Sequence, residues 1–229
     1  MSVQITNITA EEIHDQLLYN FNIKEKVGRI EINLGDISAP YFGKDAIGEL
    51  LQEWLAKWLS TNNYYFRTRA NTQEYPDFLL SDSNSEDFLE LKTFNSEAGA
   101  AFDIANFDSY CTSLLNTPSR LDGDYLIMSY QMLKSQLKIK NIWLKKVWEI
   151  SSASGVNPIK IQNRRGMIYN LRPCAWYAKN PRYKPFNNVN EFLIALYETQ
   201  QNYDQCINYR NNWLDNVKTK YYQETGNKL

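Results

Sequence analysis

The sequence predicts an α/β (α+β) domain built on a mixed central sheet flanked by helices, with a basic β-hairpin region and C-terminal helices appended. Three observations carry that prediction. An amphipathic helix pattern over residues 45–59 is followed by several short apolar, aromatic-rich runs punctuated by turn formers, and then by a second helical pattern and another apolar run. Basic side chains are concentrated between Lys134 and Lys184. Helical spacing returns from Asn188 to about Tyr222. No repeat or low-complexity linker divides the 229 residues, which suffice for one domain with an ample core.

Taken in order, His14 falls on an N-terminal amphipathic stretch. Residues 45–59 place Ile47, Leu51, Trp54, Leu55 and Trp58 on one broad stripe, as a helix packed on a sheet requires. Residues 63–69 (Asn63-Tyr64-Tyr65-Phe66-Arg67-Thr68-Arg69) are predicted to form a strand. Two further apolar runs, Tyr75 to Leu80 and Asp87 to Phe94, flank Ser81-Asp82-Ser83-Asn84-Ser85, a string of turn residues that predicts a hairpin. Residues 104–115 are predicted to be helical with Asp103 as the cap. Residues 124–130 supply another strand. The predicted order is thus helix, three strands, helix, strand, or αβββαβ, over roughly residues 42–131.

The two hairpin strands carry charges that a buried sheet does not ordinarily tolerate. Asp77 and Glu90 are expected on neighbouring strands with their carboxylates close together. Alternation along the second strand puts Glu90 and Lys92 on one face and sends Leu91 into the core. Two carboxylates and an ammonium on one sheet face are costly to bury without a metal or a substrate. That grouping suits metal-assisted hydrolysis of a phosphodiester.

Pro76-Asp77, Glu90 and Lys92 together resemble the motif of the PD-(D/E)XK nuclease superfamily, and the αβββαβ order matches its core. The resemblance implies a restriction-endonuclease-like fold in which Asp77, Glu90 and the main-chain carbonyl of Leu91 hold Mg²⁺ while Lys92 orients and helps deprotonate the attacking water. It also implies an acidic residue from the first helix. Glu49 and Glu53 both qualify, Glu49 slightly favoured, although both lie opposite the apolar stripe and read equally as a solvated face. Phe102-Asp103-Ile104-Ala105-Asn106-Phe107 and Arg172-Pro173-Cys174 further resemble the NgoBV-type group.

Charge points to a polyanionic partner. The chain balances 25 basic against 26 acidic residues, yet the distribution is lopsided. Residues 1–115 hold 8 Lys/Arg against 18 Asp/Glu, and residues 116–229 hold 17 against 8. Between Lys134 and Lys184, 12 basic residues face the single acid Glu149. Part of that charge can dock on the acidic half; the excess favours double-stranded DNA. Residues 137–148 alternate Lys138, Lys140 and Lys145 with apolar residues. Residues 159–169 predict a β-hairpin with the tip Asn163-Arg164-Arg165-Gly166, where Gly166 suits a positive-φ turn position. Lys160, Asn163, Arg164 and Arg165 are therefore candidate DNA contacts, since Arg pairs bidentately with guanine and Asn with adenine. Asn95 and Ser96, directly after the Glu90–Lys92 strand, begin a small-residue loop that could also meet DNA.

Some chemistries drop out. A single histidine argues against His-rich metal sites and Ser-His-Asp or Cys-His catalysis. Cys111, Cys174 and Cys206 are odd in number and widely spaced, and read as reduced thiols in a cytoplasmic protein. No phosphate-loop or dinucleotide glycine signature occurs. No signal peptide or long apolar span occurs, so secretion and membrane insertion are not expected.

The small size and lone catalytic core, with no helicase or methyltransferase motif, lead to the expectation of a Type II restriction endonuclease. Such an enzyme would act as a homodimer on double-stranded DNA with Mg²⁺, beside a companion DNA methyltransferase in the host. A structure-directed or repair nuclease of the same fold, a catalytically silent DNA-binding module, and an interaction protein whose basic half complements its acidic half are the alternatives.

Overall fold

The structure is a computed structural model and describes residues 4–43, 45–71 and 74–229. Its elements, in chain order, are α1 (Ala10–Asp15), β1 (Val27–Arg29), β2 (Glu31–Leu34), β3 (Ile37–Pro40), α2 (Ile47–Thr61), β4 (Phe78–Leu79), β5 (Phe88–Asn95), β6 (Ala105–Asn106), α3 (Phe107–Leu114), β7 (Asp124–Leu133), β8 (Gln136–Lys146), β9 (Ile161–Arg164), β10 (Met167–Leu171), α4 (Val189–Gln201) and α5 (Trp213–Thr225). The chain packs as two units. One comprises residues up to Ala100 together with Asp124–Leu144; the other comprises Ala101–Gly123 and Lys145–Leu229.

The first unit is organised by a five-stranded mixed sheet in the order β1-β8-β7-β5-β4. Strand β5 runs parallel to β7 from Leu89↔Asp124 to Asn95↔Tyr130, and antiparallel to β4. Strands β5 and β7 are buried on both faces over most of their length, as strands between covering layers must be. Helices α1 and α2 lie on the sheet, and Ile13, Leu17, Ile47, Leu51, Leu55, Leu59, Leu89, Leu91, Leu126 and Met128 form the common core. The predicted stripe of α2 is the buried one, with Trp54 at its margin. Glycine at position 48 matters here, because a Cβ would come within 3.3 Å of Thr93 Oγ1. The first turn of α2 therefore approaches β5 closely at the residue after Lys92.

The predicted strand at residues 63–69 is not a strand. It forms two isolated bridges, Thr6↔Tyr64 and Arg67↔Leu79. The reason is local. The Arg67 guanidinium folds over the β4–β5 connection, donating to Ser81 O at 3.1 and 3.0 Å, Ser83 O at 2.7 Å and Asn84 Oδ1 at 3.2 Å. The segment thus clamps a turn, and aromatic content alone misreported it.

In the second unit, β6-β10-β9 make a small sheet and α3, α4 and α5 bury Phe107, Tyr110, Leu114, Phe192, Leu196, Trp213 and Val217. The expected helix from residue 104 starts at Phe107, and its cap is Asn106, whose Oδ1 accepts from Ser109 N at 3.0 Å. Asp103 instead pairs with Arg172, and Ala105–Asn106 join the sheet beside β10. The C-terminal helical stretch divides into α4 and α5 around a short 3₁₀ turn at Asp204–Cys206. All three cysteines are free and buried. Among the described residues no helix is long and apolar enough to cross a membrane.

Candidate active site

The register of a two-residue strand brings the carboxylates together. Phe78 pairs with Leu89 and Leu79 with Phe88, so Asp77, just before β4, lies across from Glu90. The two are tied through main-chain groups. Asp77 N donates to Glu90 Oε2 at 3.2 Å, and Leu91 N donates to Asp77 Oδ2 at 2.8 Å. Lys92 Nζ contacts the other oxygen, Glu90 Oε1, at 2.8 Å. Alternation in β5 holds as expected, with Leu91 in the core.

Electrostatics set this corner apart. Glu90 is only 8 % exposed, and Asp77 is half-buried. Burial, followed by the neighbouring Glu90 carboxylate, pushes the Asp77 carboxyl up to about 7, against the pull of the Leu91 N–H and the Lys92 ammonium. Burial by itself would lower the Lys92 pKa, but the Glu90 carboxylate, helped by Tyr125 and Asp77, outweighs it and leaves that pKa above the ordinary lysine value. Lys92 is therefore a firm ammonium here.

Two hard carboxylate oxygen donors that compete to ionise are suited to a small divalent cation, since Mg²⁺ is commonly held by one or two carboxylates plus water. No group of three or more His, Cys, Asp or Glu side chains suited to a metal occurs among the described residues. Glu49 and Glu53 are exposed on α2, and neither hydrogen-bonds Asp77, Glu90 or Lys92 among the described residues.

Two aromatic residues escaped the sequence reading. Tyr125 sits opposite Glu90 in the β5–β7 ladder, and its ring lies 6.4 Å from that of Tyr75, which packs edge-on against Phe88 at 5.6 Å. They wall the corner on its apolar side. Nothing in the sequence distinguishes them from ordinary core tyrosines.

Beyond β5, Asn95 Oδ1 accepts from Glu97 N at 2.9 Å, and Ser96 N donates to Tyr130 O at 2.8 Å, so this loop is pinned at its start while Ser96 stays exposed. In the second unit, β9 and β10 form the predicted hairpin. Arg165 and Gly166 both have positive φ, 54° and 81°, the pattern of a tight type I′ turn. Asn163, Arg164 and Arg165 are exposed. Asn163 Oδ1 accepts from Gly166 N at 3.1 Å, and the Arg164 guanidinium lies 5.5 Å from the Tyr169 ring centre. Lys160 is engaged, its Nζ donating to Pro173 O at 2.8 Å.

Comparison with known proteins places the whole chain in a family. The family model described as NgoBV restriction endonuclease matches residues 7–229. The chain belongs to this family. It is a Type II restriction endonuclease, a site-specific deoxyribonuclease. The Type II restriction enzyme NlaIV of Neisseria lactamica is 38 % identical over 195 residues, covering 84 % of this chain and 80 % of that one. The Type II restriction enzyme NgoBV of Neisseria gonorrhoeae is 34 % identical over 178 residues, covering 76 % and 95 %. The solved structure of NlaIV restriction endonuclease superposes with a TM-score of 0.95 at 32 % identity, covering 100 % of this chain and 94 % of its own. The resemblance in Phe102–Phe107 and Arg172–Cys174 thus led to the right family, and the mixed α+β architecture is that of a restriction endonuclease.

Proposed function

We propose that this endonuclease cleaves both strands of a specific DNA site in a Mg²⁺-dependent reaction carried out at Asp77, Glu90 and Lys92, as a PD-(D/E)XK enzyme. The observation that carries the proposal is the β4–β5 register, in which the Asp77 and Glu90 carboxylates each accept a main-chain N–H from the other's strand while Lys92 closes on Glu90. Asp77, Glu90 and the Leu91 carbonyl would hold the ion. When bound, Mg²⁺ supplies charge stabilisation at the scissile phosphate and a more acidic water.

The protein's own groups do the remainder. The Asp77 carboxyl must give up its proton to act as a ligand, and Leu91 N–H is already aimed at the oxygen that then carries the charge. The raised Lys92 pKa favours a donor over a base. It would orient the attacking water and offset negative charge on the phosphate, and the proton of that water leaves to solvent or to a phosphate oxygen. Glu49, on the turn of α2 that abuts Thr93, is proposed as an additional acidic residue on the strength of the superfamily resemblance.

Specificity is assigned to the second unit's hairpin, where Asn163, Arg164 and Arg165 offer donors suited to base edges and Lys160 adds positive charge. Asn95 and Ser96 are proposed to contact the backbone near the cut. Two subunits related by a two-fold axis would each cut one strand, with a cytoplasmic methyltransferase protecting host DNA.

Digestion of a long, sequenced, unmethylated DNA with Mg²⁺, beside Lys92→Ala and a chelator control, tests this. Discrete fragments from the wild type alone are expected. A smear would indicate a structure-directed nuclease, and fragments from Lys92→Ala would overturn the site assignment.

A further inference from the structure

Strand β10 is irregular opposite β9. Met167 pairs with Arg164 and Ile168 with Asn163, but the next pair is Asn170 with Gln162, so Tyr169 is an extra residue in β10. The main-chain groups around this bulge are held by side chains from elsewhere in the same unit. The Gln205 amide, on the 3₁₀ turn Asp204–Cys206, accepts from Ile168 N at 2.7 Å and donates to Ile168 O at 3.0 Å. The same amide nitrogen donates to Asp108 Oδ2 at 2.9 Å, and the other Asp108 oxygen accepts from Tyr209 Oη at 2.6 Å. Asn106, the cap of α3, donates to Tyr169 O at 3.0 Å.

These bonds fix the Gln205 amide in one orientation, because its nitrogen must face both the Asp108 carboxylate and the Ile168 carbonyl. Asn106 and Asp108 both belong to the start of α3, so hairpin, turn and helix are joined through side chains. Nearer the hairpin tip, Asn163 Nδ2 donates to Tyr203 Oη, which in turn donates to Asn157 Oδ1, both at 3.2 Å. Ile168 is buried on the side of the hairpin it shares with Asn163. The opposite side is open: Met167 is 54 % and Tyr169 45 % exposed, and the Arg164 guanidinium leans over the Tyr169 ring.

We propose that the Tyr203–Gln205 turn is a clamp that determines site discrimination: Gln205 and Tyr203 are positioning residues that hold the β9–β10 hairpin so that Arg164 and Arg165 meet DNA in one fixed pose. The inference rests on the reading of that hairpin as the DNA-contacting element. An arginine that reads guanine through two parallel bonds must be placed within about 0.5 Å. Strands of four and five residues, with only the two-residue β6 beside them, lack that stiffness by themselves. A hairpin released from Gln205 keeps its positive charge but loses its pose, so base discrimination suffers before sequence-independent affinity does.

Competitive cleavage by the full chain tests this. The site mapped by the digestion above competes with duplexes altered at one base pair, and the ratio of the two rates measures discrimination. Wild type is compared with Gln205→Leu, Gln205→Glu, Tyr203→Phe and Arg164→Ala with Arg165→Ala. Gln205→Leu is expected to lower the ratio at least about 10-fold, at the same base pairs as the double arginine variant, while its affinity for unrelated DNA stays that of the wild type. Gln205→Glu keeps the acceptor for Ile168 N but sets a carboxylate oxygen against Ile168 O and Asp108, and should lose discrimination in the same places. Tyr203→Phe gives up only a hydroxyl and should lose less, again at those base pairs; it decides the matter if circular dichroism shows the Gln205 variants unfolded. Variants that cut every duplex more slowly in equal proportion have lost structure alone, and that result would overturn the inference, as would a loss at base pairs to which the arginine variant is indifferent. An arginine variant with the wild-type ratio would sink the hairpin reading and the clamp together. A lost ratio there beside an intact one in the Gln205 and Tyr203 variants would sink the clamp alone.

Discussion

Replacing Asp77 by asparagine should make the metal-free protein more stable while abolishing cleavage. The amide keeps the acceptor for Leu91 N–H, and it can donate toward the Glu90 carboxylate that now crowds a like charge. The magnitude follows from the carboxyl's shift from 3.8 to about 7, about 3 pH units, each equivalent to about 1.36 kcal/mol. The ceiling is therefore about 4 kcal/mol at pH 8, and about 1–3 kcal/mol after solvent relaxation at a half-buried site. The sign is fixed by linkage. The folded state binds the Asp77 proton more tightly than the unfolded chain, so wild-type stability falls as pH rises from about 4 to about 7 and is level above. The variant's advantage should be full at pH 8 and nearly gone at pH 4.

Calorimetry in chelator would read this as a melting temperature higher by about 2–12 °C at pH 8, given about 2–4 °C per kcal/mol for a chain of this size. Adding Mg²⁺ should reverse the ranking, because a ligand at 100 times its dissociation constant stabilises the folded state by about 2.7 kcal/mol, and the variant has lost a ligand. An Asp77→Asn protein that melts below the wild type in chelator at pH 8, or that keeps the full Mg²⁺ shift, would refute the reasoning.

Other perturbations discriminate among the parts. Lys92→Ala leaves Glu90 buried without its ion-pair partner and should cost about 2–4 kcal/mol in urea unfolding along with all cleavage. Arg165→Ala should weaken DNA binding and reduce the slope of log affinity against log salt by about 1 if it meets phosphate, or relax discrimination at one base pair by about 1–3 kcal/mol if it reads a base. Arg67→Ala removes four donor contacts to the β4–β5 connection and should lower the cleavage rate more than DNA affinity, as single-turnover cleavage beside a binding titration would show. Trp213→Ala should destabilise by about 3–5 kcal/mol in urea unfolding, since the ring is fully buried and its Nε1 donates to Cys111 O at 2.8 Å.

Much of the candidate site's geometry was legible because it rests on short-range rules. The Ser/Asp/Asn run between two apolar segments predicted the hairpin, and alternation in β5 then fixed which side Glu90, Leu91 and Lys92 face. Gly166 likewise announced the β9–β10 turn. Failures occurred where a tertiary contact overrode a local signal. Residues 63–69 have the composition of a strand, but Arg67 spends its donors on carbonyls and an amide oxygen 14 to 17 residues away, a partnership no window of neighbouring residues reveals. Asp103 was the better-looking cap by residue type, yet Arg172 claims it and Asn106 is left to cap α3. Tyr125 flanks Glu90 only because β5 and β7 pair in parallel with a particular register, and long-range register has no sequence signature here.

The same register explains why so costly a cluster can persist. A slip of one residue in β5 would turn Leu91 toward Asp77 and drive Glu90 and Lys92 into the core, so the charged and the folded arrangements are inseparable. Seven consecutive pairs with β7 hold β5 from one side, whereas β4 contributes two residues from the other. The weak side is the one that carries Asp77. It is held there by main-chain bonds with Arg67, in which Arg67 N donates to Leu79 O and Leu79 N to Arg67 O, both at 2.8 Å, and by the arginine's grip on the connecting turn. Stability in this region therefore comes mainly from the β5–β7 ladder and the Leu91 side of the sheet, while the β4 edge is the part that would adjust under the proposed binding of a cation by Asp77 and Glu90.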